Sequence, residues 1–261
     1  EERLTEALTK YREVALAQYD IIDLAGLPED DRHIAMRSFV MRQLYIPLRI
    51  DVETKGESDA FLSKMEDLRE QARLQAAGRE HADSQSIGNE DRQPIGDLLK
   101  KVRHLVILGD PGSGKTTLMR WLATACLLRL NDDVELNELP DVATLSDISQ
   151  MPILVRCRDL PRDADITGME DILGHFLSVI EIPGELRPPL LVALRQRLES
   201  GNALLMIDGL DEIQDPQERI RFCRRLENFS ALFENATIIA TSRIVGYREM
   251  HFRLGQGFQH G

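Results

Sequence analysis

The chain has 261 residues, 43% of them hydrophobic and 29% charged, with a formal net charge of −12. That length accommodates a full α/β domain with a smaller attachment. The acidic balance excludes a generally basic nucleic-acid binder, and no apolar run reaches the roughly 18 residues of a membrane span, so neither partner is expected.

The first residues, Glu1-Glu2-Arg3-Leu4, lack an initiator Met and the apolar segment of a signal peptide, so an excerpt of a longer protein is expected. Leu4, Leu8, Tyr11, Ala15, Tyr19 and Ile22 recur at helical spacing and predict a helix over residues 1–27, ended by Gly26 and Pro28. Phe39 to Ile50 is mostly apolar; within it Tyr45-Ile46-Pro47-Leu48 reads as extended, and Pro47 puts it at a sheet edge or in a loop. Phe61, Met65, Leu68 and Ala72 mark a second amphipathic helix with Asp59 as its cap. Residues 1–76 thus read as a helical lead-in, and the polar stretch 77–94, with only Ile87 to bury, as a loop or linker.

Residues 95–261 alternate strands and helices. Leu105–Leu108, Ile153–Val155, Ala203–Ile207 and Thr237–Ala240 are short apolar runs, as buried parallel strands require. Helices are expected near 116–130, 169–180, 189–199 and 216–229; Gly201 fits the end of the third and Pro216 the first turn of the last. A fifth strand is expected to begin near Phe258. Such alternation implies an α/β fold, a parallel sheet with helices on both faces.

Gly109-Asp110-Pro111-Gly112-Ser113-Gly114-Lys115-Thr116 matches GxxxxGK[ST] at every fixed position, between an expected strand and an expected helix. The glycines let the backbone wrap a phosphate with its N–H groups pointing inward, and the helix N-terminus adds partial positive charge. Lys115 can reach the β- and γ-phosphates, the Thr116 hydroxyl can ligate Mg²⁺, and Thr117 completes the nucleotide-binding set. The cofactor expected is Mg²⁺ with ATP or ADP.

Asp208, Asp211 and Glu212 lie just past the third strand, where open α/β sheets place their ligands. Asp208 is positioned to support the metal, directly or through water. One of Asp211 and Glu212 can position and deprotonate the attacking water, and Gly209 leaves room for that water or for the phosphate. The fourth strand runs into Thr241-Ser242-Arg243, so Arg243 can meet the γ-phosphate, where charge accumulates.

Other residues receive blander readings. Cys126, Cys157 and Cys223 are widely spaced without CxxC, which suggests buried thiols in a reducing cytosol and neither disulfides nor zinc. The histidines lack metal spacing; His104 and His175 read as surface or packing residues. Trp121 has core spacing beside Leu118 and Ala125. Arg156 and Arg158 flank Cys157 without an assigned role, and Arg219, Arg221, Arg224 and Arg225 read as a solvated helix face.

The segments ILGDPGSGKTTLMRWLA (107–123), MPILVRCRDL (151–160), LLMIDGLDEI (204–213) and IIATSRIVGY (238–247) resemble, in order and spacing, the NACHT domain of the STAND class of signalling NTPases. The most specific part is Asp208-Gly209-Leu210-Asp211-Glu212: AAA+ proteins instead place Glu directly after that Asp. YIPL (45–48) is similar to what precedes the domain in bacterial members, and the resemblance covers roughly residues 40–250. It implies a P-loop NTPase with a five-stranded parallel sheet, the strand ending in Arg243 lying between the P-loop and acidic strands. It also implies a cytoplasmic ATP-driven switch, closed with ADP and oligomerising with ATP, used by many bacterial relatives against phage. By the same resemblance Lys115 and Thr116 bind phosphate and Mg²⁺, Asp208 supports Mg²⁺, Asp211 and Glu212 serve hydrolysis and Arg243 senses the γ-phosphate. An effector, a helical domain, a winged helix and a sensor are expected outside this stretch, which by itself should be mainly monomeric.

A AAA+-like or nucleic-acid-dependent motor is the alternative; the acidic balance and the spaced carboxylates favour the switch. A module that holds nucleotide without turnover would not need Asp211 and Glu212; the absence of an NKxD motif favours ATP over GTP, while the resemblance leaves GTP use open.

Overall fold

The computed structural model describes residues 2–20, 45–51, 92–133, 136–137, 139–145, 149–161, 168–244, 247 and 258–260. Helix α1 (Glu2–Tyr19) buries Ala7, Tyr11, Ala15 and Tyr19, a stripe with a spacing of four, against the rest of the molecule. The Tyr11 hydroxyl donates to the Pro152 carbonyl, which fixes the helix to the sheet. The helix ends at Tyr19, with Asp20 already outside it, earlier than the expected end at residue 27; Gly26 and Pro28 themselves, and the helix expected around Phe61–Ala72 with its Asp59 cap, lie outside the described residues.

Residues 45–48 carry no regular structure, as Pro47 suggested, and run into β1 (Arg49–Asp51). This strand pairs antiparallel with β2 (Arg92–Pro94), with Arg49 opposite Pro94. The last three residues of the stretch read as a linker are therefore paired strand. Tyr45 stacks on Trp121 at 4.9 Å between centroids, so Trp121 is core, as its spacing indicated. A short helix α2 (Ile95–Leu99) then leads into the sheet.

The remaining elements are β3 (His104–Leu108), α3 (Lys115–Leu130), β4 (Met151–Arg156), α4 (Met169–Val179), α5 (Arg187–Glu199), β5 (Ala203–Asp208), α6 (Pro216–Leu232), β6 (Thr237–Ser242) and β7 (Gln259–His260). The sheet order is β4-β5-β6-β3-β7, all parallel. Four strands of five or six residues make its body, and two-residue β7 completes the edge beside β3. As expected, β6 lies between the P-loop strand and the acidic strand. Every residue of β5 and β6 is buried, which follows from helices covering both faces. Helix α3 is buried from Leu118 to Leu128 except at the partly buried Arg120, because the sheet covers one side and α1 another. Among the described residues no helix is long and apolar enough to cross a membrane.

The fold positions the site by register. Ile107 and Leu108 of β3 lie opposite Thr241 and Ser242 of β6, and Ile207 of β5 lies opposite Ala240. The carboxyl ends of β3, β5 and β6, with their polar residues, are thereby brought side by side.

Candidate nucleotide site

The loop from Gly109 to Thr116 has the backbone that phosphate wrapping needs. Gly112 and Gly114 sit at φ +77° and +86°, in the left-handed region that favours glycine. A Cβ on Gly114 would also lie 3.0 Å from Leu48 Cδ1, so the lead-in segment packs directly against the loop. Gly109 N–H donates to the Ser242 carbonyl at 3.3 Å, joining the loop to the end of β6. Asp110 is half-buried at the loop's start, Pro111 and Ser113 are exposed at its rim, and Thr117 is exposed on the first turn of α3.

Lys115 Nζ donates to the carbonyls of Gly109 and Asp110, each at 2.8 Å, and to Ser113 Oγ at 3.1 Å. Its half-burial lowers the pKa of the ammonium; Asp211 and Asp208 act against that shift and Arg243 with it. Lys115 is thus the cation around which the loop and the acidic strand end gather.

Asp208 is held from two sides. Thr116 donates to its Oδ2 at 2.8 Å, and Thr241 donates to its Oδ1 at 2.7 Å. Thr241 in turn accepts the Gly209 N–H at 2.9 Å. Because the Thr116 proton points at Asp208, the lone pairs of its oxygen are left for a cation. Among the described residues no group of three or more His, Cys, Asp or Glu could hold a metal. That donor set suits Mg²⁺, which keeps several waters and takes one or two protein oxygens together with phosphate.

The next turn separates the two remaining carboxylates. Asp211 Oδ1 accepts the Arg243 N–H at 2.8 Å and the Ser242 hydroxyl at 3.4 Å, while its Oδ2 pairs with Arg243 Nε at 3.1 Å. Its side chain is only 10% exposed, against 54% for Arg243. Glu212 makes no such bonds among the described residues and is exposed at the mouth of the site. Its carboxyl lies over Gly209: a Cβ there would come within 2.9 Å of Glu212 Cδ and Oε2. The space that Gly209 leaves is therefore taken by Glu212, not open for water or phosphate. Gly209 also has φ +79°, so the turn needs glycine on two counts. Partial burial raises the Glu212 pKa; Asp208 and Asp211 add to the rise, and Arg158 and Arg243 oppose it.

Sequence reasoning missed four contributors. Thr241 anchors Asp208, Leu48 contacts the P-loop, and the charge of Arg158 reaches Glu212. Arg219, read as part of a solvated face, instead folds back and donates to the carbonyls of Asp211 and Ile213. The TSR triplet was a usable signal for Thr241, whereas the other three contacts depend on tertiary packing. The cysteines are free and buried as expected, and burial pushes Cys126 and Cys223 up to about 12.

A family model described as the NACHT domain matches residues 103–260, more than half of the chain. None of the curated proteins matches it. The match spans the P-loop after β3, the acidic turn after β5 and the arginine after β6, and the chain belongs to the NACHT domain family of nucleotide-binding P-loop NTPases.

Proposed function

We propose that this domain binds and slowly hydrolyses Mg²⁺–ATP, and that ATP- and ADP-bound states control self-assembly of the protein carrying it, in cytoplasmic immune defence of the bacterial antiphage kind. The assembly and defence parts rest on the family; the chemistry rests on the site. The observation that carries it is the division of labour on one turn: Asp211 is committed to Arg243, and Glu212 is not.

In this reading the P-loop N–H groups and Lys115 bind the β- and γ-phosphates. Bound Mg²⁺ would neutralise developing phosphate charge, with Thr116 and Asp208 holding it. Glu212 takes a proton from the attacking water as its oxygen bonds to the γ-phosphorus and the bond to the bridging oxygen breaks, leaving ADP and phosphate. Its raised pKa makes it a better base than an ordinary glutamate. Arg243 is aimed through Asp211 at Nε, which leaves its Nη atoms for a γ-phosphate oxygen.

The test compares the parent with Lys115→Ala and Glu212→Gln by calorimetry and ATPase assay. Loss of Mg²⁺–ATP binding in the first variant, with retained binding but lost turnover in the second, is expected. Unchanged ATP affinity in Lys115→Ala would refute the site.

A further inference from the structure

Arg219 stands in the first turn of α6, which begins at Pro216 and is capped by Asp215 Oδ1 accepting the Gln217 N–H at 2.7 Å. A cation is electrostatically misplaced there, because a helix N-terminus already carries partial positive charge. The side chain does not extend into solvent. Nε and Nη2 both donate to the Ile213 carbonyl, at 3.0 and 2.7 Å, and Nη2 also donates to the Asp211 carbonyl at 3.1 Å. These two carbonyls flank Glu212. The Asp211 carbonyl belongs to the peptide that joins Asp211 to Glu212, and the Ile213 carbonyl lies one residue beyond Glu212. On the other side, the Glu212 N–H is held by the Gly209 carbonyl at 2.8 Å. The backbone of Glu212 is thus gripped before and after its Cα, while its side chain has no hydrogen bond of its own among the described residues.

We propose that Arg219 is a positioning residue for hydrolysis: its fork on the Asp211 and Ile213 carbonyls sets the direction in which Glu212 leaves the backbone. This rests on the reading of Glu212 as the base. A side chain with free torsions keeps its carboxyl over Gly209 only if its Cα–Cβ bond is aimed there, and a misplacement of about 1 Å can cost on the order of a hundredfold in rate. Planarity matters as well as charge: a guanidinium spans two carbonyls in one plane, whereas an ammonium is a point.

The experiment measures kcat, KM and the affinity for Mg²⁺–ATP in Arg219→Met, Arg219→Lys, Glu212→Gln and the Arg219→Met/Glu212→Gln double variant. Arg219→Met is expected to lower kcat at least tenfold with KM and affinity within about twofold, because it touches no phosphate contact. Arg219→Lys should fall between the two. In the Glu212→Gln background, Arg219→Met should cost nothing further, since there is no base left to aim. A parent-like kcat in Arg219→Met, or an equal further loss in the double variant, overturns the proposal while leaving Glu212 as base. Turnover at the parent rate in Glu212→Gln overturns both. If Arg219→Met does not fold, Arg219→Lys decides: a reduced kcat at unchanged KM is expected, and a parent-like kcat rejects the proposal.

Discussion

Asp211 and Arg243 are joined at two points: the carboxyl accepts the Arg243 backbone N–H at 2.8 Å and pairs with its Nε at 3.1 Å. The pairing ties the turn after β5 to the end of β6, and it orients the arginine by its inner nitrogen. The two acidic residues should therefore fail differently when converted to amides. Glu212→Gln should lower turnover on the order of a hundredfold or more, as loss of a general base does, with ATP still bound. Asp211→Asn keeps the acceptor for the backbone N–H but sets an amide NH2 against Arg243 Nε, so the charge and the acceptor that hold the guanidinium are both lost. Its defect should be smaller and should weaken ATP more than ADP, as should that of Arg243→Ala. Equal rates for the two amide variants would remove the distinction.

The acid limb of the rate profile offers a second check. Partial burial, then Asp208 and Asp211, hold the Glu212 carboxyl above the ordinary glutamate range, and Arg158 pulls it down. Turnover requires the carboxylate, so kcat should rise with pH through a limb above that of a free glutamate. Arg158→Met removes a positive charge that favours the carboxylate, so the limb should move to higher pH. The same shift bears on stability. A raised folded-state pKa means that the native state holds the proton more tightly, so stability falls as pH rises from the unfolded value through the folded one. Glu212→Gln should therefore melt higher than the parent at neutral pH and equally in acid. A limb unmoved in Arg158→Met would disconnect that arginine from the base.

Thr241 and Asp208 test the support of the metal site. Thr241 is fully buried, donates to Asp208 Oδ1 and accepts the Gly209 N–H. Thr241→Val preserves shape but leaves those groups unpaired, which should cost about 1–3 kcal/mol in a denaturant titration. It should also raise the Mg²⁺ concentration needed for half-maximal turnover, whereas Thr241→Ser should stay near the parent. A valine variant equal to the parent in both measurements would make the hydroxyl dispensable.

These contacts also mark how far the sequence could be read. Gly109 to Thr116 is contiguous, and its glycine positions follow from local backbone demands, so the loop was legible residue by residue. Asp208 was legible because a buried strand must end where its apolar run ends. The partnership of Thr241 with Asp208 spans 33 positions and exists only because β5 and β6 are neighbours in a set register, which the pattern of one chain does not encode. Strand β2 is three residues in a polar stretch and ends in Pro94, so it has neither the apolar content nor the length that marks a strand. Arg219 shares a charged run with Arg221 and Arg224, and both of those are exposed; only the side-chain direction distinguishes it.

Gly209 separates fold from chemistry. Alanine there must hold φ near +79° and place its Cβ 2.9 Å from the Glu212 carboxyl. The backbone strain should cost about 1 kcal/mol or more. The clash is relieved by the flexible end of Glu212 moving away, so the fold should survive. Gly209→Ala should therefore bind Mg²⁺–ATP but turn it over at least tenfold more slowly, read by calorimetry and a phosphate-release assay. Retained turnover would show that the carboxyl need not lie over residue 209.

The last prediction sets switch against motor: DNA and RNA should not stimulate ATP hydrolysis. Acidic residues outnumber basic ones, 44 to 32. Several of the arginines are already committed: Arg243 to Asp211, Arg219 to main-chain carbonyls, Arg156 to Asp159, Arg195 to Glu170 and Glu199, and Arg221 to Glu218. A motor tracking a nucleic-acid strand needs a positive groove and aromatic platforms for the bases. Here Tyr11, Tyr45, Trp121 and Phe229 are buried in the core instead. A switch needs only its nucleotide site and a partner surface to lock, and slow hydrolysis suits it, because a signalling state must outlast the encounter that created it. The assay adds single- and double-stranded DNA and RNA at low salt and follows phosphate release. An unchanged rate is expected. A several-fold rise that disappears at higher salt would carry the signature of counterion release and would replace the switch by a motor.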